Sequence, residues 1–377
     1  MAQDIMNKSA EKKSASRRTL LPLLLALLPV VLIVLYYILN YRIQIMDWVL
    51  TNISLPYRAS AAQVTSFGPF QYFSLAEAII TLLILWVLYF IVKTIIIFMR
   101  HSHRLLYLVR RIYIIAVIVL YIVASFSWIW GTGYHSTNFA EKTGLDSSGI
   151  TVSQLTDVTK LFAEKVNELS TQVKRDADNH FIEDRQNYFT LGKDLYANIE
   201  KEFPELGGES YPSKPMIYSK LMSACGFSGV YIALTGETNI NIDAPACFMP
   251  ATIAHEMAHQ RGINSEEEAN FAAIAACITS NIPVYEYSGY LLGLTYLVDT
   301  LGKADSYACR QITSTFNAYV IQDWNDNSDY CINHETPAAE TAMSLYDGYL
   351  KSNDIASGVN SYGACVDMLV SWLAKSS

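Results

Sequence analysis

Apolar residues crowd the first third of this chain in three long runs, and a mixed pattern of helical periodicity follows. Residues 20–39, LLPLLLALLPVVLIVLYYIL, carry no charge and are long enough to cross a hydrocarbon core of about 30 Å as a helix. A second run, LAEAIITLLILWVLYFIVKTIIIF over 75–98, keeps Glu77 and Lys93 toward its ends, and a third, IYIIAVIVLYIVASFSWIW, covers 112–130. The pattern predicts three membrane helices. A cleaved signal peptide is the alternative for the first run. Such peptides have apolar stretches of about 7–15 residues ending in small side chains, whereas this run closes on Tyr36, Tyr37 and Asn40. An anchor is the better reading.

Beyond Trp130 the text GTGYHSTNFAEKTGLDSSG, 131–149, is polar and turn-rich and predicts a linker. Helical spacing of Val152, Leu155, Val158, Leu161, Phe162, Val166 and Leu169 predicts a helix over 151–174, and a second helical pattern covers 185–202 before Pro204. The stretch SGVYIALTGETNINI, 228–242, is rich in β-branched and aromatic residues and predicts strands around a turn at Gly236. Helices are expected again at 265–280, 287–301, 305–321, 338–351 and 360–374. The expected fold is α+β and mainly helical. Residues 1–134 form an N-terminal tail with a three-helix transmembrane region, and 135–377 form a second domain with a small β-sheet.

Basic residues then orient the chain. Lys8, Lys12, Lys13, Arg17 and Arg18 precede the first run, and Arg100, Arg104, Arg110 and Arg111 lie between the second and third, against Arg42 and Arg58 between the first two. By the positive-inside tendency both basic segments are cytoplasmic, which puts the second domain outside the cell membrane. Tyr36, Tyr37, Tyr41, Trp48, Trp128 and Trp130 fall near run ends, where interfacial aromatics gather. All six cysteines (225, 247, 277, 309, 331 and 365) lie beyond the third run, and disulfides in an oxidising compartment are expected for some of them, buried thiols for others such as Cys277. Of 27 basic and 35 acidic residues, 12 and 4 precede residue 135, which leaves a net charge of −16 on the second domain. That charge argues against nucleic acid or anionic lipid as its partner.

The candidate chemistry sits in ATIAHEMAHQRGINSEEEANF, residues 251–271. His255, Glu256 and His259 spell H-E-x-x-H. On a helix, positions four apart share a face, so both imidazoles can bind one zinc ion (Zn2+) while Glu256 holds a water beside it as general base. The bare motif arises by chance in about one chain of this length in a hundred, so context matters. Pro250 suits a first helical turn, the small apolar flank suggests a buried helix, and Gly262 stands where a helix ends. A catalytic zinc needs a third protein ligand and an open position. Glu266 would fall in the first turn of the next helix with Asn270 one turn on, able to bond a ligand histidine. Glu268 is the alternative, although Ser265-x-x-Glu268 also spells a capping box that would occupy it. Glu267 points away and reads as solvated.

The string G-x-Y…T-G-E…H-E-x-x-H-Q-x-G…E-x-E-A-N-F resembles a family of bacterial membrane proteins catalogued as domain of unknown function 3810, and the likeness covers most of the chain. That family resembles gluzincin metallopeptidases. The resemblance implies Glu266 as the third ligand, with Asn270 where gluzincins carry aspartate. It departs from many gluzincins in having only six residues between His259 and Glu266. It also implies that the strand containing Val230, Tyr231 and Ile232 pairs with an extended peptide substrate, with Glu237 and Asn239 as further contacts or plain turn residues. Tyr287 and Tyr290 are candidates to stabilise an oxyanion, ahead of His334 and Arg261. The expected function is that of a membrane-anchored zinc metallopeptidase acting on a peptide or protein. A non-catalytic zinc-containing sensor or adaptor, and a zinc amidase acting on cell-wall peptides, are the alternatives.

Overall fold

A computed structural model of the chain describes residues 24–100, 104–145, 150–182, 185–353 and 362–375. Two of the three predicted membrane runs form helices long and apolar enough to cross a bilayer: α4 (Leu75–Arg100) and α5 (Arg104–Ile129). Their side chains are apolar on every face, as those of helices in lipid are. The first run differs. Its described part, α1 (Leu24–Leu39), is shorter than a spanning helix and ends where the chain turns at Asn40 and Tyr41; residues 20–23 lie outside the described residues. The expected three-helix transmembrane region is therefore corrected to two candidate spans.

The stretch between α1 and α4 is itself folded. α2 (Ile43–Val49) runs through a π-helical turn at Leu50–Ser54 into α3 (Leu55–Thr65), and a 3-10 turn at Gly68–Tyr72 leads to α4. Arg58 of α3 is buried, and its Nε and Nη2 donate to the Ile129 carbonyl at 2.9 and 2.6 Å, satisfying an end carbonyl of α5. The described part of the predicted linker, 131–145, is folded too. Gly131–His135 is a 3-10 turn, α6 spans Phe139–Thr143, and Thr137 donates its N–H and hydroxyl to Asp47, both at 2.7 Å. Polar composition was misleading here because these polar groups are bonded across the junction.

Helices α7 (Val152–Leu169), α8 (Arg185–Leu191) and α9 (Ser219–Ala224) accompany in sequence a three-stranded sheet of β1 (Lys214–Pro215), β2 (Gly229–Ile232) and β3 (Glu237–Ile240), on which the later helix over Met249–Gln260 packs. The strand order is β1-β3-β2, with β1 parallel and β2 antiparallel to β3, so β2 is an edge strand. Gly236 makes the expected turn at φ +68, and a Cβ there would fall 2.4 Å from the Arg58 carbonyl, so both conformation and space require glycine. The helix predicted over 185–202 breaks after α8 into 3-10 turns, where Gly192 backs onto the Tyr285 hydroxyl.

The C-terminal half is helical: α10 (Met249–Gln260), α11 (Glu266–Ile278), α12 (Pro283–Ala304), α13 (Ser306–Thr313), α14 (Ala318–Asn333), α15 (Pro337–Ser352) and α16 (Tyr362–Lys375). The helix expected over 305–321 divides because Asn317 caps α14, accepting the Tyr319 and Val320 N–H groups at 3.0 Å. α11 is the centre of the core. Phe271, Ile274 and the alanines between and after them are fully buried, and the small residues let α10, α12 and α16 approach closely. All six cysteines are unpaired thiols, with Cys247, Cys277 and Cys365 buried. The disulfide expectation fails, and the three buried thiols serve packing instead.

The candidate span α4 is fastened to the sheet. Glu237 at the start of β3 accepts the Leu75 and Ala76 N–H groups at 2.9 and 2.7 Å, and Lys214 of β1 pairs with it at 2.5 Å, both side chains buried. One turn on, Glu77 accepts the Ile217 and Tyr218 N–H groups at 3.0 and 2.6 Å. Exposed N–H groups at a helix start favour such carboxylates.

Candidate metal centre

α10 carries both histidines on one face, and the turn at Gly262 (φ +92) brings α11 back against it. Glu266, in the first turn of α11, then meets His255 Nε2 through Oε2 at 3.1 Å and His259 Nε2 through Oε1 at 3.6 Å. Four ligands about 2 Å from a tetrahedral centre lie roughly 3.3 Å apart, so these spacings fit a zinc-sized ion with little rearrangement. Among the described residues, these three form the one group of His, Cys, Asp and Glu that could hold a metal, with donor atoms within 4.8 Å of one another.

The far side of each imidazole is fixed. His259 Nδ1 donates to the Ile263 carbonyl at 2.7 Å, and His255 Nδ1 lies 2.9 Å from Asn270 Oδ1. With Nδ1 protonated, Nε2 of each ring presents a lone pair to the centre, the usual arrangement for histidine ligands. Burial alone would raise the Glu266 carboxyl, yet the two histidines facing it hold it well below the ordinary range. Tyr346 of α15 donates its hydroxyl to Glu266 Oε1.

Glu256 stands beside the three donors, buried, with Oε2 lacking any hydrogen-bond partner. Burial pushes its carboxyl up to about 8, and Glu266 adds to that, while His255 and the Tyr231 N–H pull the other way. Room for this carboxylate comes from Gly229 on β2: a Cβ there would lie 2.5 Å from Glu256 Oε1. The β2 register completes the picture. Asn241 N–H donates to the Ser228 carbonyl at 2.9 Å, so the ladder alternation directs the backbone of Gly229 and Tyr231 away from β3, toward the free edge. A cavity of about 480 Å³ runs along that edge, walled by Val230, Tyr231, the three donors, Glu256, Tyr346, Tyr349 and, from the end of α5, Phe126 and Trp130.

Other expected site residues lie elsewhere. Glu268 turns away from the histidines: its N–H reaches Ser265 Oγ at 3.5 Å, but its carboxylate accepts Ala140 N–H at 2.9 Å and caps α6 instead of closing the capping box. Glu267 accepts the Ser265 hydroxyl at 2.6 Å. Tyr287 is buried in the core, donating to Asp323, which Arg175 grips at 2.9 and 2.7 Å. Tyr290 packs on Phe162 with centroids 4.9 Å apart. Neither tyrosine lines the cavity, because one helical face of α12 is committed to the core. Glu237 is spent on Lys214 and α4, and Asn239 is buried behind β2 with its Nδ2 3.1 Å from the Glu237 carbonyl. Ile232, His334 and Arg261 also lie outside the cavity wall, Arg261 being bonded to Leu206, Met257 and Ser210. The residues sequence reasoning missed are Trp130, whose ring centroid is 5.5 Å from that of His259, and Tyr346, 80 positions beyond Glu266. Gly229 was within the G-x-Y string but carried no role.

No curated protein and no solved structure matches this chain. A family model described as "Protein of unknown function (DUF3810)" matches residues 57–370, from the helix that buries Arg58 to the helix that closes the core, and the chain belongs to that family.

Proposed function

We propose that the chain is a membrane-anchored, zinc-dependent, gluzincin-like metallopeptidase whose catalytic part faces the outside of the cytoplasmic membrane. The observation that carries the reading is the convergence of His255, His259 and Glu266 beside a buried Glu256 at a free strand edge. A buried carboxylate with one oxygen unpartnered is costly and contributes nothing to a purely structural zinc site. It is what a general base needs. Orientation is supported by Arg100, Arg104, Arg110 and Arg111, which cluster toward the ends of α4 and α5 opposite the sheet.

His255, His259 and Glu266 would hold the zinc. When bound, it supplies Lewis acidity that makes a water acidic enough to lose a proton near neutral pH. Glu256 Oε2 takes that proton as the water attacks a peptide carbonyl and returns it to the leaving amine. The outward backbone of Gly229 and the Tyr231 carbonyl orient an extended substrate as an added strand, the Tyr231 N–H being held by Glu256. Tyr346, whose hydroxyl donates to Glu266 from within the cleft, takes the place of Tyr287 and Tyr290 as the candidate phenol at the reacting groups.

The test is metal content and hydrolysis of a broad peptide library by the detergent-solubilised full chain and by Glu256→Gln. One zinc per chain in both proteins, with cleavage by the parent alone, is expected. Zinc in both with no cleavage by either would favour the sensor or adaptor reading.

A further inference from the structure

The cleft is built partly from the membrane helices. Phe126 and Trp130 of the α5 end form its wall, and the Trp130 ring lies edge-on to His259 and 5.8 Å from the Tyr231 ring. At 1.5 Å per residue Phe126 is about 22 Å along α5 from Arg111, less than the roughly 30 Å of a hydrocarbon core. The wall of the cleft is therefore the outer margin of the membrane span. A separate set of contacts sets the same depth. Tyr218 OH is 3.1 Å from Thr81 Oγ1, in the second turn of α4, so α9 lies alongside the span instead of above it. There Ile217 is 81% and Leu221 62% exposed, and Phe67 and Tyr72, just before α4, are 78% and 73% exposed. Apolar side chains exposed at the level of a span's first turns are those a bilayer covers.

We infer that the substrate is itself a membrane-held polypeptide, cut within a few residues of the bilayer surface. This rests on the peptidase reading above. The free edge of β2 favours a polypeptide over a lipid, because its outward backbone groups, apart from the Tyr231 N–H that Glu256 holds, match an extended backbone. The spacing is decisive. A site raised about 30 Å above the surface would need roughly nine extended residues between anchor and scissile bond. A cleft walled by Phe126 and Trp130 needs only a few.

Two measurements on the full chain in vesicles test the inference. In the first, a fluorescent amino acid replaces Val230, Ile217 or, as a distant control, Tyr307, and the vesicles carry phospholipid brominated near the headgroup. Quenching at 217 and 230 at least twofold above that at 307 is expected; equal quenching at 230 and 307 would overturn the placement. In the second, a randomised 30-residue tail is displayed on a transmembrane anchor and compared with the same tail free in solution. Cut sites should concentrate within about six residues of the anchor, with the free tail cut at least tenfold more slowly. Cut sites spread evenly, or a free tail cut within twofold of the anchored one, would sink the inference and leave the peptidase standing. Cutting no greater than that by Glu256→Gln would remove both.

Discussion

At Gly229 one hydrogen in place of a methyl decides whether Glu256 can sit behind the edge strand. Its φ is not in the left-handed region, so the chain itself tolerates alanine, and the only conflict is with the carboxylate 2.5 Å from the added Cβ. Gly229→Ala should lower kcat/KM on a peptide substrate by about 10- to 100-fold, the usual result of shifting a catalytic group by about 1 Å. Zinc content should stay unchanged, which metal analysis of the same sample checks. The neighbouring glutamates separate by a parallel experiment. Glu266→Ala should lose the zinc, whereas Glu268→Ala should keep it and lose about 1–2 kcal/mol of stability through the uncapped α6. The opposite pattern of metal contents would show the assignment to be reversed. Asn270→Ala, which frees the His255 ring, should weaken zinc affinity about 10- to 100-fold in a chelator competition.

Elements are coupled through buried carboxylates at the start of the candidate span α4. Glu237 satisfies the start of α4 and the Lys214 ammonium together, in a site from which water is excluded. Removing one member strands a buried charge, so Glu237→Ala should cost about 3–5 kcal/mol. Thermal unfolding in detergent would show it as a large drop in Tm. Adding Lys214→Met should recover part of that loss and not all of it, because the Leu75 and Ala76 N–H groups stay unsatisfied. Full recovery would mean that the cap contributes nothing. The 228–242 pattern gave the hairpin and its turn correctly, since β-branched alternation and Gly236 are local signals. It could not reveal that Glu237, in the same stretch, faces a membrane helix and not a substrate.

At the scale of the molecule, described residues of the segment expected to link two domains are bonded on both sides, Thr137 to Asp47 and Ala140 to Glu268. Asn264 Nδ2 donates to the Trp130 carbonyl at 3.0 Å, and Arg58 lies over the Trp130 ring at 5.0 Å. The cysteines do not staple the molecule. Thiol titration after unfolding without reductant should find six thiols, and reductant should leave Tm unchanged; a count of four or two would restore the disulfide reading. In the folded protein Cys331, the exposed thiol, should react first, because burial pushes Cys247, Cys277 and Cys365 up and shields them.

The amino-acid sequence by itself determined what depends on short-range spacing. His255, Glu256 and His259 share a helix, Gly262 ends it, Asn270 follows Glu266 by one turn, and two apolar runs are long enough to span a bilayer. Those properties follow from helix geometry and side-chain chemistry, which act over a few residues. Tertiary structure alone decided the rest. It turned Glu268 to α6 and Glu266 to the histidines, committed Tyr287 to Asp323, and brought Tyr346 and Trp130 to the cleft from opposite sides of the chain. Those outcomes depend on which buried polar groups find partners across long sequence separations, and no local pattern among 25 tyrosines and six tryptophans encodes that pairing.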